Sequence, residues 1–140
     1  MKLWFIAALL LLTSCVAITA TTDFPLVNLQ LEQKTIQVQL AATPELRAKG
    51  LMFQQAADPG MLLLYAEPQH ISLWMRNTSM PLDVAFIDTD WRIHHIRQLE
   101  PYDETSVPSE IAVIAALEMP RGWFAANQLA AGAQLTLLDH

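Results

Sequence analysis

Val27–Leu31 (VNLQL) and Ile36–Leu40 (IQVQL) decide the fold of this chain. In both runs apolar side chains alternate with asparagine or glutamine, and a period of two is typical of a strand that buries one face. The polar segment Glu32–Lys34 lies between the two runs, which indicates a β-hairpin. The folded part of the chain is therefore expected to begin with paired antiparallel strands.

Similar runs continue along the chain and predict further strands. Short apolar or alternating runs stand between turn residues at 61–65, 71–76, 82–86, 91–99, 111–119 and 134–138. The alanines of 111–119 favour a helix while its β-branched residues favour a strand, and we predict a strand. Glu67-Pro68 is expected to end the strand at 61–65, and 101–108 is expected to be an exposed loop.

Helix signals are fewer. Thr43-Pro44-Glu45 combines a capping residue, a proline suited to the first turn and an acidic side chain, and Gly50 is a suitable end. A second short helix is predicted within 122–129. The sum is about eight short strands with one or two short helices. We expect a mainly β (α+β), compact single domain with a β-barrel-like or sandwich-like sheet.

Length, composition and net charge limit the number of domains and the kinds of partner. The chain has 140 residues, of which 53% are hydrophobic, and its 8 basic and 14 acidic side chains give a formal charge of −6. This length supports one domain. Nucleic acid is not expected as a partner, because phosphate binding needs a clustered basic surface.

The N-terminus has the pattern of an export signal. Lys2 precedes ten uninterrupted apolar residues, Leu3–Leu12, and this run is too short for a bilayer-spanning helix of about 20 residues. Leu12–Cys15 (LTSC) resembles a bacterial lipobox, in which the cysteine is lipidated. We predict a lipoprotein signal peptide at 1–14, a flexible tether at 15–25 and one domain at 26–140. The alternative is an ordinary signal peptide, cleaved near Ala17 or Ala20, with an incidental cysteine.

Lipidation of Cys15 would place the protein on the periplasmic side of the cell envelope, with the membrane as a partner. Val16 follows the cysteine where an aspartate would indicate inner-membrane retention, and this favours the outer membrane. Cys15 is the only cysteine, so neither a disulfide within the chain nor a cysteine nucleophile is expected in the domain.

A longer pattern carries a family resemblance. Its motifs are Gly50–Phe53 (GLMF), Pro59–Met61 (PGM), Trp74–Asp88 (WMRNTSMPLDVAFID), Ala116–Met119 (ALEM) and the turn Ala131–Ala133 (AGA). Together they resemble the family called domain of unknown function 192. The resemblance implies a compact β-rich domain, often exported or lipid-anchored in bacteria, for which no reaction is established.

The chain departs from the family pattern at three places. Gln54 stands where a basic residue is common, Asp90-Trp91 replaces a frequent Asp-Gly, and Ala133 stands where an acidic residue is frequent. An anion-binding role shared at position 54 is therefore not expected here.

The segment 74–83 concentrates the candidate ligand-binding residues: Trp74, Arg76, Asn77, Thr78 and Asp83. On a strand over 71–76, Trp74 and Arg76 share one face, where an aromatic plane beside a guanidinium suits a planar or anionic ligand. The alternative is architectural. In that case the asparagine and threonine satisfy backbone groups of a turn, and Arg76 pairs with Asp83 or Glu118.

Glu118 lies inside an apolar run, where a carboxylate is costly unless it is paired or lines a cleft. Arg76 or Arg121 is its predicted partner. If Asp83 and Glu118 converge, they form a carboxylate pair suited to acid–base or glycoside-cleaving chemistry. These two residues are the catalytic candidates of an alternative function, a small periplasmic hydrolase acting on envelope glycans.

No metal or cofactor is predicted. His94 and His95 are adjacent and would point to opposite faces of a strand, and His70 and His140 are far away in sequence. The first hypothesis is thus a non-enzymatic envelope lipoprotein whose domain binds a small ligand or an envelope protein. A purely structural lipoprotein is a further alternative.

Overall fold

The computed structural model describes residues 24–138, which form nine strands and two short helices. The strands are β1 (Leu26–Leu31), β2 (Lys34–Ala41), β3 (Met61–Gln69), β4 (Ser72–Leu73), β5 (Leu82–Ile87), β6 (Ile93–Leu99), β7 (Val107–Pro108), β8 (Val113–Pro120) and β9 (Leu135–Leu137). The helices are α1 (Pro44–Lys49) and α2 (Trp123–Ala126). The mainly β prediction is confirmed.

Seven of the strands form one sheet in the order β6-β5-β8-β3-β2-β1-β9, and β4 pairs with β7 in a separate ribbon. β2 and β3 are parallel, while the other neighbours are antiparallel. The edge strands approach each other at one end, where Arg92 and Gln134 form a β-bridge and the Leu135 amide donates to the Trp91 carbonyl at 2.8 Å. The sheet is therefore a curled half-barrel, as the barrel-like prediction anticipated.

Two apolar clusters lie on the two faces of this sheet. The concave face holds residues of the central and edge strands together: Leu29, Leu62, Ile87, Leu117 and Leu135. The outer face presents Met61, Leu63, Val84 and Phe86, and it is covered by Leu51, Leu73 and Met75 from the connections on either side of β3. β5, β8 and the first residues of β3 are buried on both faces, which explains their nearly continuous apolar sequence.

The helix and hairpin predictions are confirmed. Thr43 caps α1 by accepting a hydrogen bond from the Leu46 amide at 3.2 Å, and Gly50 ends the helix with φ +49°. The β1–β2 hairpin pairs Leu31 with Lys34. The ambiguous segment near 111–119 is the strand β8, as predicted.

Several strand boundaries differ from prediction. The strand predicted at 71–76 is limited to Ser72–Leu73, and the chain turns at Arg76 and Asn77. β3 continues through Pro68 to Gln69. Its pairing with β8 shifts register between Leu64 and Gln69, so Pro68, which has no backbone N–H, lies where the regular ladder of hydrogen bonds is interrupted. The predicted loop 101–108 ends in the short strand β7, which pairs with β4.

The folded domain begins before the predicted boundary at residue 26. Phe24 is buried in the outer cluster, and the Pro25 carbonyl accepts a hydrogen bond from the Leu40 amide at 2.8 Å. The predicted signal peptide, Cys15 and most of the predicted tether lie outside the described residues, as does His140. Among residues 24–138, no helix has the length and apolar character needed to cross a bilayer.

Candidate ligand-binding site

A cavity of about 230 Å³ opens on the outer face of the sheet, between α1, β3, β8 and the segment that follows β4. Glu118 lies within it, among apolar walls that include Leu51, Leu63 and Met75. The polar lining groups include Arg47, Tyr65, Ser72 and Thr78, and the Trp74 ring also lines the cavity. Apolar walls with a few polar groups are typical of small-molecule sites.

The register of β8 places Glu118 in this cavity. Glu118 is opposite Met61 of β3 and Val84 of β5, and both of these neighbours belong to the outer cluster. Its side chain is buried, with 6% of the residue exposed. Within residues 24–138 its carboxyl group forms no hydrogen bond or ion pair. Burial therefore raises the pKa of its carboxyl from 4.5 to about 7.

Arg47 and Tyr65 form another part of the cavity lining. The Arg47 Nη1 donates to the carbonyls of Ala42 and Leu64, at 3.0 and 2.9 Å, and the guanidinium lies 4.5 Å from the centre of the Tyr65 ring. These contacts fasten α1 to β3. Burial raises the pKa of Tyr65, the Arg47 charge opposes that rise and the Glu118 carboxylate adds to it. The pKa of the Tyr65 hydroxyl thus depends on the charges of both Arg47 and Glu118.

Trp74 and Arg76 are both exposed and Met75 between them is buried, but the strand ends at Leu73, so the two side chains do not share a strand face as predicted. The Arg76 guanidinium lies 5.2 Å from the Trp74 ring centre, and its Nε lies 3.4 Å from the Glu104 carboxylate. The predicted pairing of Arg76 with Asp83 or Glu118 is therefore wrong. Both partners of the observed ion pair are more than half exposed, so its effect on stability is small.

Asn77 and Thr78 shape the turn after Arg76. Asn77 adopts φ +52°, and its carbonyl accepts a hydrogen bond from the Phe53 amide at 2.9 Å. Thr78 is buried, and its hydroxyl donates to the Arg76 carbonyl at 3.1 Å. The Thr78 bond agrees with the architectural interpretation of that residue, whereas Asn77 contributes its backbone carbonyl and its positive φ to the turn. Thr78 also lines the cavity.

Asp83 lies on the concave side of the sheet, away from the cavity. It is opposite Met119, one position from the Val84–Glu118 pair, so the two carboxylates point to opposite faces. The Asp83 Oδ2 accepts a hydrogen bond from the Gly122 amide at 2.8 Å, and its Oδ1 lies 3.2 Å from the Arg121 Nε. The predicted carboxylate pair does not form, and Arg121 is not a partner of Glu118.

The orientation of His94 and His95 differs from prediction. The β5–β6 register passes from Phe86–His95 to Ile87–Ile93, so His94 is the extra residue of a β-bulge. The Nδ1 atoms of the two histidines lie 2.8 Å apart, and the prediction that these side chains point to opposite faces is wrong. Burial, together with the neighbouring His94, lowers the pKa of His95. Across residues 24–138, no three His, Cys, Asp or Glu side chains are grouped to hold a metal.

A sequence profile comparison matches residues 27–137 to domain of unknown function 192, described as Uncharacterized ACR. The chain belongs to the DUF192 family. No curated protein matches this DUF192 chain.

Two solved structures resemble this DUF192 domain, each with a TM-score of 0.76. A protein of unknown function from Novosphingobium aromaticivorans DSM 12444 is 31% identical, and the match covers 86% of this chain and 91% of that one. A protein from Sinorhizobium meliloti 1021, provisionally described as a transcription regulator, is 28% identical over 84% of this chain and 97% of that one.

Sequence reasoning identified Glu118, Trp74 and Thr78 in this DUF192 site but missed Arg47 and Tyr65. Both missed residues lie on predicted elements, and no pattern in the sequence brings those elements together. Gln54, which departs from the family pattern, forms two amide hydrogen bonds of 2.9 Å with the buried Gln39. Its role in this chain is to connect β2 to the loop after α1.

Proposed function

We propose that this DUF192 protein is a non-enzymatic, lipid-anchored envelope protein that binds a small organic ligand in the cavity around Glu118. One observation carries the proposal: a buried carboxyl lines a cavity and has no partner among residues 24–138. An unpaired buried carboxyl is costly, and such groups cluster at functional sites. The second carboxylate that a hydrolase would need, Asp83, lies on the opposite face of the sheet, so we do not propose hydrolysis.

Nucleic-acid binding is not proposed, although one relative is provisionally described as a transcription regulator. This chain has a formal charge of −6. Arg76, Arg97 and Arg121 each pair with a carboxylate. The negative net charge and these three ion pairs both disfavour phosphate binding.

Three probes of similar size test the cavity: benzylamine, benzyl alcohol and benzoate, titrated into the full chain in detergent micelles. At least one probe should shift the backbone amide resonances of Leu51, Tyr65, Trp74 and Glu118 in ¹H–¹⁵N spectra. Ala48→Phe should abolish these shifts, because Ala48 is exposed and lines the cavity. Ala126→Phe is the matched control, since Ala126 is an exposed helical alanine outside the cavity lining.

If none of the three probes shifts these amides, the proposed function is wrong. Shifts that persist unchanged in Ala48→Phe would also contradict it, because the binding would then lie elsewhere.

The proposed anchor has its own test. Cys15→Ser should move the protein from the membrane fraction to the soluble periplasmic fraction, since the acylated thiol is the proposed attachment. The readout is immunoblotting of separated membrane and periplasmic fractions, with Ser14→Ala as a neighbouring control that retains the cysteine. Full retention of Cys15→Ser in the membrane fraction would indicate an uncleaved signal anchor instead.

A further inference from the structure

The cavity lining holds two oppositely charged side chains that are not paired with each other. Among the described residues that line it, Glu118 is the one acidic side chain and Arg47 the one basic side chain. Within residues 24–138 these two form no ion pair, and the Arg47 guanidinium instead donates to the Ala42 and Leu64 carbonyls. The Glu118 carboxylate, when ionised, therefore has no counter-charge from the described part of the chain.

The nearby arginines are engaged elsewhere. Arg47 is held by two backbone carbonyls and the Tyr65 ring. Arg121 lies near Asp83 and Glu100 at 3.2 and 3.0 Å, and Arg76 pairs with Glu104. Moving any of them to Glu118 would break contacts already formed. A cation that neutralises this carboxylate is thus most readily supplied by a ligand.

The other lining groups fit an organic cation better than a metal ion. A hard divalent cation takes several oxygen ligands, and the described residues provide no acidic or histidine cluster for it. The walls instead offer apolar surface from Leu51, Leu63 and Met75, and the aromatic rings of Tyr65 and Trp74. Aromatic rings bind organic ammonium groups through their π faces.

We propose that the ligand of this cavity is a small organic ammonium compound with an apolar or aromatic body. The inference rests on the proposed function and names its ligand class. The ammonium group donates to the Glu118 carboxylate and has further donors for the hydroxyl oxygens of Tyr65 and Ser72, which line the same cavity. The apolar body of the ligand packs against the leucine and methionine walls.

The same three probes test this class. Benzylamine should bind more tightly than benzyl alcohol or benzoate at pH 8. Its affinity should rise about 30-fold between pH 5.5 and pH 8, as the ionised fraction of a carboxyl with a pKa of about 7 increases. Tyr65 also lines the cavity, and because its pKa is raised from 10.0 it does not ionise in this range; the other charged lining group is the Arg47 guanidinium.

Two variants assign the effect to one carboxyl. Glu118→Gln should weaken benzylamine binding at pH 8 by at least about tenfold and remove the pH dependence, because the charged acceptor is lost. Glu104→Gln is the matched control, since it removes an exposed carboxylate that pairs with Arg76 and lies outside the cavity lining. It should retain both the affinity and its pH dependence.

The outcomes separate this inference from the proposed function. Tighter binding of benzyl alcohol or benzoate than of benzylamine would leave the cavity as a ligand site and overturn the ammonium assignment. Benzylamine binding that is insensitive to pH or to Glu118→Gln would overturn it as well. Absence of cavity shifts with all three probes would overturn the proposed function itself.

Discussion

Replacing Glu118 with glutamine should change how stability depends on pH. The free energy of unfolding of Glu118→Gln minus that of the wild type should increase by about 3 kcal/mol between pH 4 and pH 8. Burial raises the carboxyl pKa from 4.5 to about 7, so the folded wild type binds one more proton than the unfolded chain between these values. The stability that the wild type gains from keeping this carboxyl protonated is fully present below pH 4.5, and it is lost as the pH rises through 7. At about 1.4 kcal/mol for each pH unit, the loss amounts to about 3 kcal/mol.

Urea unfolding of the wild type and Glu118→Gln at half-unit pH steps measures this difference directly. Comparing the two proteins cancels the contributions of all other titrating groups, because glutamine is a neutral side chain of the same shape as protonated glutamate. Glu104→Gln, at an exposed position, serves as the control and should follow the wild type within about 0.5 kcal/mol. Parallel stability curves for the wild type and Glu118→Gln would contradict the proposed burial of an unpaired carboxyl.

Replacing Asp83 with alanine should reduce the free energy of unfolding by about 3 kcal/mol. Asp83 is 7% exposed, and its loss removes the hydrogen bond to the Gly122 amide and leaves Arg121 without its buried partner. Breaking a buried pair by removing one member costs about 3–5 kcal/mol, and the lower end applies because Arg121 is partly exposed and also pairs with Glu100.

Chemical denaturation at pH 7 measures this loss, and benzylamine titration in the same variant shows whether the cavity survives. Because Asp83 and Glu118 lie on opposite faces of the sheet, the cavity amides should still shift in Asp83→Ala. The control is Asp90→Ala at an exposed turn position, with an expected change below about 0.5 kcal/mol. A stability close to that of the wild type, combined with a loss of binding, would instead make Asp83 a ligand contact.

Much of the fold follows from local sequence patterns. The alternation in Val27–Leu31 and Ile36–Leu40 specifies a half-buried hairpin, because successive strand residues face opposite sides. Thr43 and Gly50 mark the ends of α1 through capping and a left-handed backbone angle. These signals act over a few residues and need no information from distant parts of the chain.

The site depended on relations that the sequence does not encode locally. Asp83 and Glu118 are both carboxylates in apolar strands. In the β5–β8 register they stand one position apart, and this offset places their side chains on opposite faces of the sheet. His94 and His95 are on the same side because one extra residue interrupts the pairing of β5 with β6. Neither the register nor the bulge has a marker in the surrounding residues.

The sequence by itself determined a β-rich domain, its family and the residue types available for chemistry, because side-chain periodicity and capping are short-range properties. Tertiary structure alone decided that Glu118 lines a cavity while Asp83 holds Arg121 and the Gly122 amide. The physical reason is that the partner of a buried charge is set by which face of the sheet it occupies. That face is fixed by the pairing of strands more than 30 residues apart in the chain.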